Sequence, residues 1–293
     1  MRRRLRDILS AYLFVLPAAL VLVVFQIIPA IEVFRLSLTN RLLLRPTSSF
    51  TGLANIERLL SDDRFWNSVW NTFYFVGVSV PLQTGLALLL AILLAKRMRG
   101  LAIFRTIFFL PVVASMVGVS VIWDWMFHPS IGIFNAILTQ FGLEPINWLR
   151  DPLWAMPAII LLVVWKGTGY YMVIYLAGLM DIPDQYYDAA NIDGANRWHL
   201  FRYVTWPLLA PTTYLIFILQ MINSFQVFAT VYVLTGGGPR RATEVVVYYL
   251  YERAFQSLEF GYASTISVAL FLFLLALTAV QRGVFGRRQN YDR

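Results

Sequence analysis

The chain has 293 residues, of which 59% are hydrophobic and 14% charged, with no cysteine and a formal net charge of +8. So little charge, with apolar residues gathered in blocks of about twenty, excludes a soluble globular domain and suits helices that cross a hydrocarbon core about 30 Å thick. The basic residues sit at the ends of those blocks and form no continuous face, which argues against nucleic acid as a partner. Zero cysteine excludes disulfides and thiolate metal sites, and two histidines, His128 and His199, are too few for a multi-histidine centre.

Lipid cannot hydrogen-bond an open backbone, and the ten-residue alternation of a membrane barrel is absent, so the apolar blocks are read as helices. The expected fold class is an all-α polytopic membrane protein. In chain order, six spans are expected: Tyr12 to Phe34, Val69 to Ala95, Phe104 to Phe127, Trp154 to Met180, Leu208 to Leu234 and Gly261 to Val280. Arg2, Arg3, Arg4 and Arg6 precede the first, which is too long for a secretory signal and lacks its small-residue cleavage site. It is read as a retained anchor with its N-terminus inside, and six spans return the C-terminus to the same side.

Lys96, Arg97, Arg99, Arg105, Arg197, Arg202, Arg282, Arg287, Arg288 and Arg293 then fall inside with the N-terminal four. They outnumber the outside set of Arg35, Arg41, Arg45, Arg58, Arg64, Arg150, Arg240, Arg241 and Arg253, as the positive-inside rule asks. The loop at 181–207, between the fourth and fifth spans, accordingly faces the cytoplasm.

Prolines and glycines inside the spans (Pro17, Pro29, Pro81, Pro111, Pro157, Gly77, Gly118, Gly167, Gly169) read mostly as kinks packed against neighbours. Trp123, Trp125, Trp148 and Trp154 read as interfacial belt residues, with Asp124 and His128 in loop packing or external contacts. Ionisable groups within the spans are Glu32, Asp124 and Lys166, with no pair evident at helical spacing. No internal repeat is visible, so any two-fold symmetry requires a second subunit.

In the 181–207 loop, Pro183 suits a first helical turn, and Asp181 and Asp184 favour its positive end. A short helix through Tyr186, Tyr187, Asp188, Ala189 and Ala190 is expected, then a turn at Asp193-Gly194. Trp198, Phe201 and Val204 form an apolar stripe before Pro207 opens the next span. Ala189, Ala190, Gly194 and Ala195 leave room for another surface, and Asp188 offers it an acceptor.

Residues Asp188 to Pro211, DAANIDGANRWHLFRYVTWPLLAP, resemble the EAAxxDGAxxxxxFxxxxxPxxxP loop of ABC-importer membrane subunits. Asp188, Ala189 and Ala190 take the EAA positions, with Asp in place of Glu; Asp193, Gly194, Ala195, Phe201, Pro207 and Pro211 follow at matching spacing. Trp206 departs mildly from the usual Leu. The resemblance implies a single transmembrane domain over 1–293 with the type I ABC-importer (MetI-like) permease fold, whose loop is a coupling helix docked on an ATPase. It further implies a second homologous permease, two copies of an ABC ATPase, an extracytoplasmic solute-binding protein, and a bacterial or archaeal cytoplasmic membrane as location.

Neither lysine of the chain, Lys96 or Lys166, lies in GxxxxGK[ST], so these residues form no P-loop. The chain is read as a transporter subunit and not an enzyme, with no cofactor of its own and with ATP and magnesium on the partner ATPase. The rival readings are a standalone ion-coupled transporter and an intramembrane hydrolase, and the latter lacks a visible nucleophile–base pair.

LTGGGPRRAT, Leu234 to Thr243, with LAGLMDIPDQYYDAANIDGA and FGYASTISVALFLF, resembles the first permease of carbohydrate-uptake importers, such as those for maltose, trehalose or glycerol-3-phosphate. Sugars need amides, hydroxyls and rings facing a pathway. Gln220, Asn223, Ser224 and Val227 share one helical face by spacing. The resemblance places Gln220, Ser224 and Val227 on sugar-contacting positions of maltose permeases, and picks out Lys166, Gly167 and Tyr170 on the fourth span. Val227 and Val112 stand where maltose permeases offer polar groups, which implies a different solute from maltose.

Overall fold

The computed structural model describes residues 2–42, 44, 48–95 and 101–285, with the side chains of 2–11, 101, 284 and 285 outside the description. Lys96, Arg97, Arg99, Arg287, Arg288 and Arg293, on which the orientation reading leans, lie outside the described residues, as does Arg45. The described backbone is helical apart from turns and one isolated antiparallel bridge, Thr39 with Phe50. It divides into two compact units, 1–63 with 250–273 and 64–249 with 274–293.

The first unit carries the helix Tyr12–Ser37, with mean hydropathy 2.6 and an apolar surface left uncovered by the described residues. Water would make that surface costly, so lipid or another subunit must cover it. Its C-terminal end is fixed by polar bonds. Asn55 Nδ2 donates to the carbonyls of Ser37 at 2.9 Å and Thr39 at 2.8 Å, and Thr265 Oγ1 donates to Ser37 at 3.0 Å. Arg58 pairs with Glu259 at 2.9 Å and lies 3.9 Å above the Tyr262 ring, whose hydroxyl bonds to Asp62. Within this unit Glu32 and Arg35 form a 2.6 Å ion pair one helical turn apart. The spacing is i, i+3, where side chains meet on one face, and Arg35 lies one residue beyond the expected end of the first span at Phe34.

The second unit is built on the helices Asp63–Ala95, Leu101–Val113, Met116–Met126, Ala155–Met180 and Ala210–Phe225. Asp63–Ala95 is 33 residues long. At 1.5 Å per residue it reaches about 50 Å, well beyond a bilayer core. Two apolar cores hold the unit. One gathers Phe75, Val80, Trp123, Phe127, Ile159, Leu162 and Val231; the other gathers Ala87, Ala91, Met172, Tyr175, Leu209 and Ile216.

Two spans differ from the simple rods expected. The third is a helix pair bent by 99° at residues 114–115, after Pro111. The fifth is interrupted between Phe225 and Ala229. Hydropathy averages over such breaks, so the sequence shows a continuous apolar block in both places.

Small residues let the helices close up. A methyl group on Gly169 would stand 2.0 Å from the Phe108 carbonyl, and one on Gly167 would stand 2.2 Å from Gln83 Nε2. Gly77 and Gly118 meet nothing within 4 Å, so close packing explains the first two and not the second two. The tryptophans also divide. Trp125 is exposed, but Trp123 is buried, its ring 5.5 Å from Phe127 and 5.2 Å from Trp165. Trp148 donates its indole N–H to Asn135 at 2.9 Å. The belt reading therefore fails for Trp123, because its ring is packed in the first apolar core.

Candidate functional site

The two helix breaks meet at one place. A cavity of about 420 Å³ is lined by Val112 and Met116, on either side of the third-span bend, and by Gln226, Val227 and Phe228 in the fifth-span interruption. Ala229 and Thr230 continue that wall; Asn223 and Ser224 come from the last turn of the helix before the interruption, and Gln83, Lys166, Gly167 and Tyr171 from the second and fourth spans. Non-helical backbone at membrane depth is tolerated where it lines a cavity that can satisfy it. Polar side chains in an apolar frame are what orient a small polar ligand, and the volume falls in the range of such sites.

Three of the polar groups are held by bonds to the chain itself. Lys166 is 9% exposed, and its Nζ donates to the Val112 carbonyl at 3.2 Å. That carbonyl is among the last four of the helix Leu101–Val113, which lack helical donors. The ammonium thus sits at the negative end of a helix cut short by the bend, an arrangement that offsets part of the cost of burying a cation. Gln83 donates to the Val163 carbonyl at 3.1 Å in the space Gly167 leaves. Asn223 Nδ2 reaches the Tyr171 hydroxyl at 3.4 Å.

Five of the residues singled out from sequence line this cavity: Lys166, Gly167, Asn223, Ser224 and Val227. Two do not. Gln220 is fully buried, its Oε1 accepting from Thr84 at 2.6 Å while its Nε2 has no partner among the described residues. Tyr170 is exposed beside the cavity-lining Tyr171, the rings 5.2 Å apart. One residue along a helix turns the side chain by about 100°, so adjacent tyrosines face different ways. Gln83, Gln226, Thr230 and Tyr171 were missed. An amide inside the apolar run VSVPLQTGLALLL was the available signal for Gln83; the other three depend on the fifth-span break or on helix phase.

The loop at 181–207 forms the second element of the site. Pro183 stands immediately before the helix Asp184–Ile192, and Asp184 lies in its first turn. The helix ends with Asp193 donating to Ala189 at 3.1 Å and Ala195 donating to Ala190 at 2.9 Å. Gly194 has φ +78, in the left-handed region that glycine enters freely, and open space surrounds it. Asn196 then caps the next turn through a 2.9 Å bond from the His199 N–H.

A π-helical segment, Leu200–Thr205, leads to Trp206 and Pro207. Ile182, Tyr187 and Phe201 pack on the second apolar core, and the Tyr187 and Thr205 hydroxyls stand 3.1 Å apart, joining the two limbs. Asp188, Ala189, Asp193 and Gly194 are exposed, with Ala190 and Ala195 half-buried, and Ile192 and Trp198 project outward. The roots are packed and the tip is bare.

Interrupted spans around a cavity that gathers polar side chains, with a bare loop rooted in the same compact unit, define a membrane transport component. Residues 46–289 match the family described as binding-protein-dependent transport system inner membrane component, and the chain belongs to that family. It is 38% identical over 275 residues to the trehalose/maltose transport system permease protein of Thermococcus litoralis, covering 94% of this chain and 93% of that one. To the lactose transport system permease protein of Rhizobium radiobacter it is 37% identical over 279 residues, covering 93% and 92%. To the sn-glycerol-3-phosphate transport system permease protein of Agrobacterium fabrum it is 34% identical over 283 residues, covering 96% of each.

Its fold superposes on a chain from the crystal structure of a bacterial ABC transporter involved in import of the acidic polysaccharide alginate, with TM-score 0.87 over 97% of this chain and 98% of that one at 23% identity. The protein is a membrane-embedded permease subunit of an ABC importer, not an enzyme, and ATP hydrolysis in such importers belongs to a separate subunit.

Proposed function

We propose that this permease moves a sugar or sugar-like solute (a disaccharide, a glycoside osmolyte, or a solute of the glycerol-3-phosphate class) into the cytoplasm through the cavity at the two helix breaks. Support comes from the names of its relatives, which transport trehalose and maltose, lactose, and glycerol-3-phosphate. The observation that carries the reading is the convergence of amide, hydroxyl and ammonium groups on one cavity: Gln83, Lys166, Asn223, Ser224 and Gln226. Hydroxylated solutes are bound by such groups, with Tyr171 and Phe228 offering ring faces to C–H surfaces. Lys166, Gly167, Asn223, Ser224 and Val227 would line the path, Gln220 would hold the fifth helix in phase, and Tyr170 would face outward.

The protein pairs with a second homologous permease, two copies of an ABC ATPase and an extracytoplasmic solute-binding protein, in the cytoplasmic membrane of a bacterium or archaeon. Both termini and the 181–207 loop face the cytoplasm. Asp188, Ala189, Ala190, Asp193, Gly194, Ala195, Phe201 and Pro207 form the joint with the ATPase, and ATP and magnesium sit on that partner. ATP binding draws the ATPases together and turns the cavity outward; hydrolysis returns it inward. The loop transmits this because Ile182, Tyr187 and Phe201 tie it to the core that includes Met172 and Ile216 of the fourth and fifth spans.

The test is reconstitution of all subunits in proteoliposomes, with solutes first screened by thermal shift of the cognate receptor. Uptake that requires ATP, the ATPase and the receptor is expected. Uptake by this chain alone under an ion gradient would favour a secondary transporter.

A further inference from the structure

The turn between the fifth and sixth spans is held more tightly than a connector requires. Arg240 and Arg241 take φ 49 and φ 64, left-handed values that residues with a side chain rarely adopt. Asn71 Nδ2 donates to the Arg241 carbonyl at 2.8 Å and to that of Glu244 at 3.0 Å, and Asn67 reaches Arg241 at 3.2 Å. The Thr235 and Thr243 hydroxyls lie 2.7 Å apart, and Thr243 donates to the Gly238 carbonyl at 2.6 Å. Arg64 grips the buried Glu244 carboxylate, its Nε 3.0 Å from both oxygens.

This scaffold presents two adjacent exposed guanidiniums, neither with an ion-pair or hydrogen-bond partner among the described residues. Strained backbone persists where its surroundings over-determine it, and such strain concentrates at functional positions. Four side chains (Asn67, Asn71, Thr235 and Thr243) brace a turn that ends in bare positive charge. A fluid lipid headgroup needs no such bracing, because a flexible arginine reaches it unaided. A folded protein with carboxylates at fixed positions gains from a rigid counterpart.

We propose that Arg240 and Arg241 form a rigid cationic docking post for carboxylates on the extracytoplasmic solute-binding protein. The proposal rests on the import reading, which puts this turn on the face opposite the 181–207 loop, across the fifth span. The post steers the delivery protein and sets its register on the permease.

The experiment titrates the cognate receptor against the assembled importer in nanodiscs of zwitterionic lipid, reading ATP hydrolysis at low and at high salt. The R240Q/R241Q variant is expected to need about five- to tenfold more receptor for half-maximal stimulation at low salt, to retain the rate at saturating receptor, and to approach wild type at high salt. R240N/R241N, whose residues accept left-handed backbone, should repeat this result, and R240K/R241K should stay near wild type. Equal half-maximal concentrations in every variant would overturn the proposal. So would a lysine variant as weak as the glutamine one, because positive charge at these positions would then not be what the receptor reads. A shift seen only with anionic lipid would assign the arginines to headgroups and overturn it as well. A wild-type importer that the receptor does not stimulate would instead sink the import reading and the docking post with it.

Discussion

The 181–207 loop and the cavity use polar residues in opposite ways. At the loop tip Asp188, Asp193 and Asn191 stand exposed, and Ile192 and Trp198 add bare apolar surface. In the cavity walls Gln83, Lys166 and Asn223 already hold bonds to the chain itself, on Val163, Val112 and Tyr171. A surface left unsatisfied asks for a macromolecular partner. A cavity in which Gln83, Lys166 and Asn223 are held by the chain and keep capacity for another bond suits a small solute that must also leave. Packing within one compact unit joins the two regions, and substitutions can separate their failures.

The largest effect is expected where the helices touch. Gly169→Val puts new carbon against the Phe108 backbone carbonyl, which cannot give way as a flexible side chain would. A cost of about 3 kcal/mol is expected, read as loss of the folded monodisperse fraction in detergent, and both regions fail together. Next, Gly194→Val forces a β-branched residue to φ +78 at a cost of about 1–2 kcal/mol. Its effect should be on coupling: receptor-stimulated hydrolysis or ATPase co-purification falls while the folded fraction is retained. Gly194→Asn, which tolerates that backbone, should recover most of it.

Within the cavity, Lys166→Met removes the bond to Val112 at the bend. The Michaelis constant for uptake should change by about tenfold with ATPase binding intact, and Lys166→Arg should restore part of it. Asn223→Ala loses a long 3.4 Å bond, so a change of about two- to fivefold is expected in the same assay. Loss of assembly in either variant would mean that the group is interhelical packing. At the small end, Gly85→Ala meets nothing within 4 Å and should leave stability within about 0.5 kcal/mol and uptake unchanged.

The same contrast governs what could be read from the sequence. The loop was legible because its requirements are local: an N-terminal Pro183, a glycine at the left-handed turn, and alanines at fixed spacing are visible in a single stretch. The spans were legible as apolar blocks, and helices occupy each of them. The breaks were not, because residues 114–115 and 226–228 carry no charge or proline pair that marks a stop, and tertiary packing decides where backbone bonds are given up. The cavity inherits that gap. Ser224 and Asn223 followed from helical spacing, but Gln226 and Thr230 line it only because the fifth helix opens. Lys166 was visible as an anomaly, yet its partner, a backbone carbonyl 54 residues earlier, leaves no trace in side-chain chemistry.

The account depends most on the loop being touched by a separate motor. The chain has no cysteine, so an Asp188→Cys variant offers a single permease thiol for oxidative cross-linking to a second cysteine introduced on the loop-facing surface of the ATPase in the assembled importer. The account predicts a cross-linked pair of permease and ATPase whose yield changes when ATP and magnesium are added. A thiol that forms no such pair, and that reacts in intact cells with a reagent unable to cross the membrane, would contradict it.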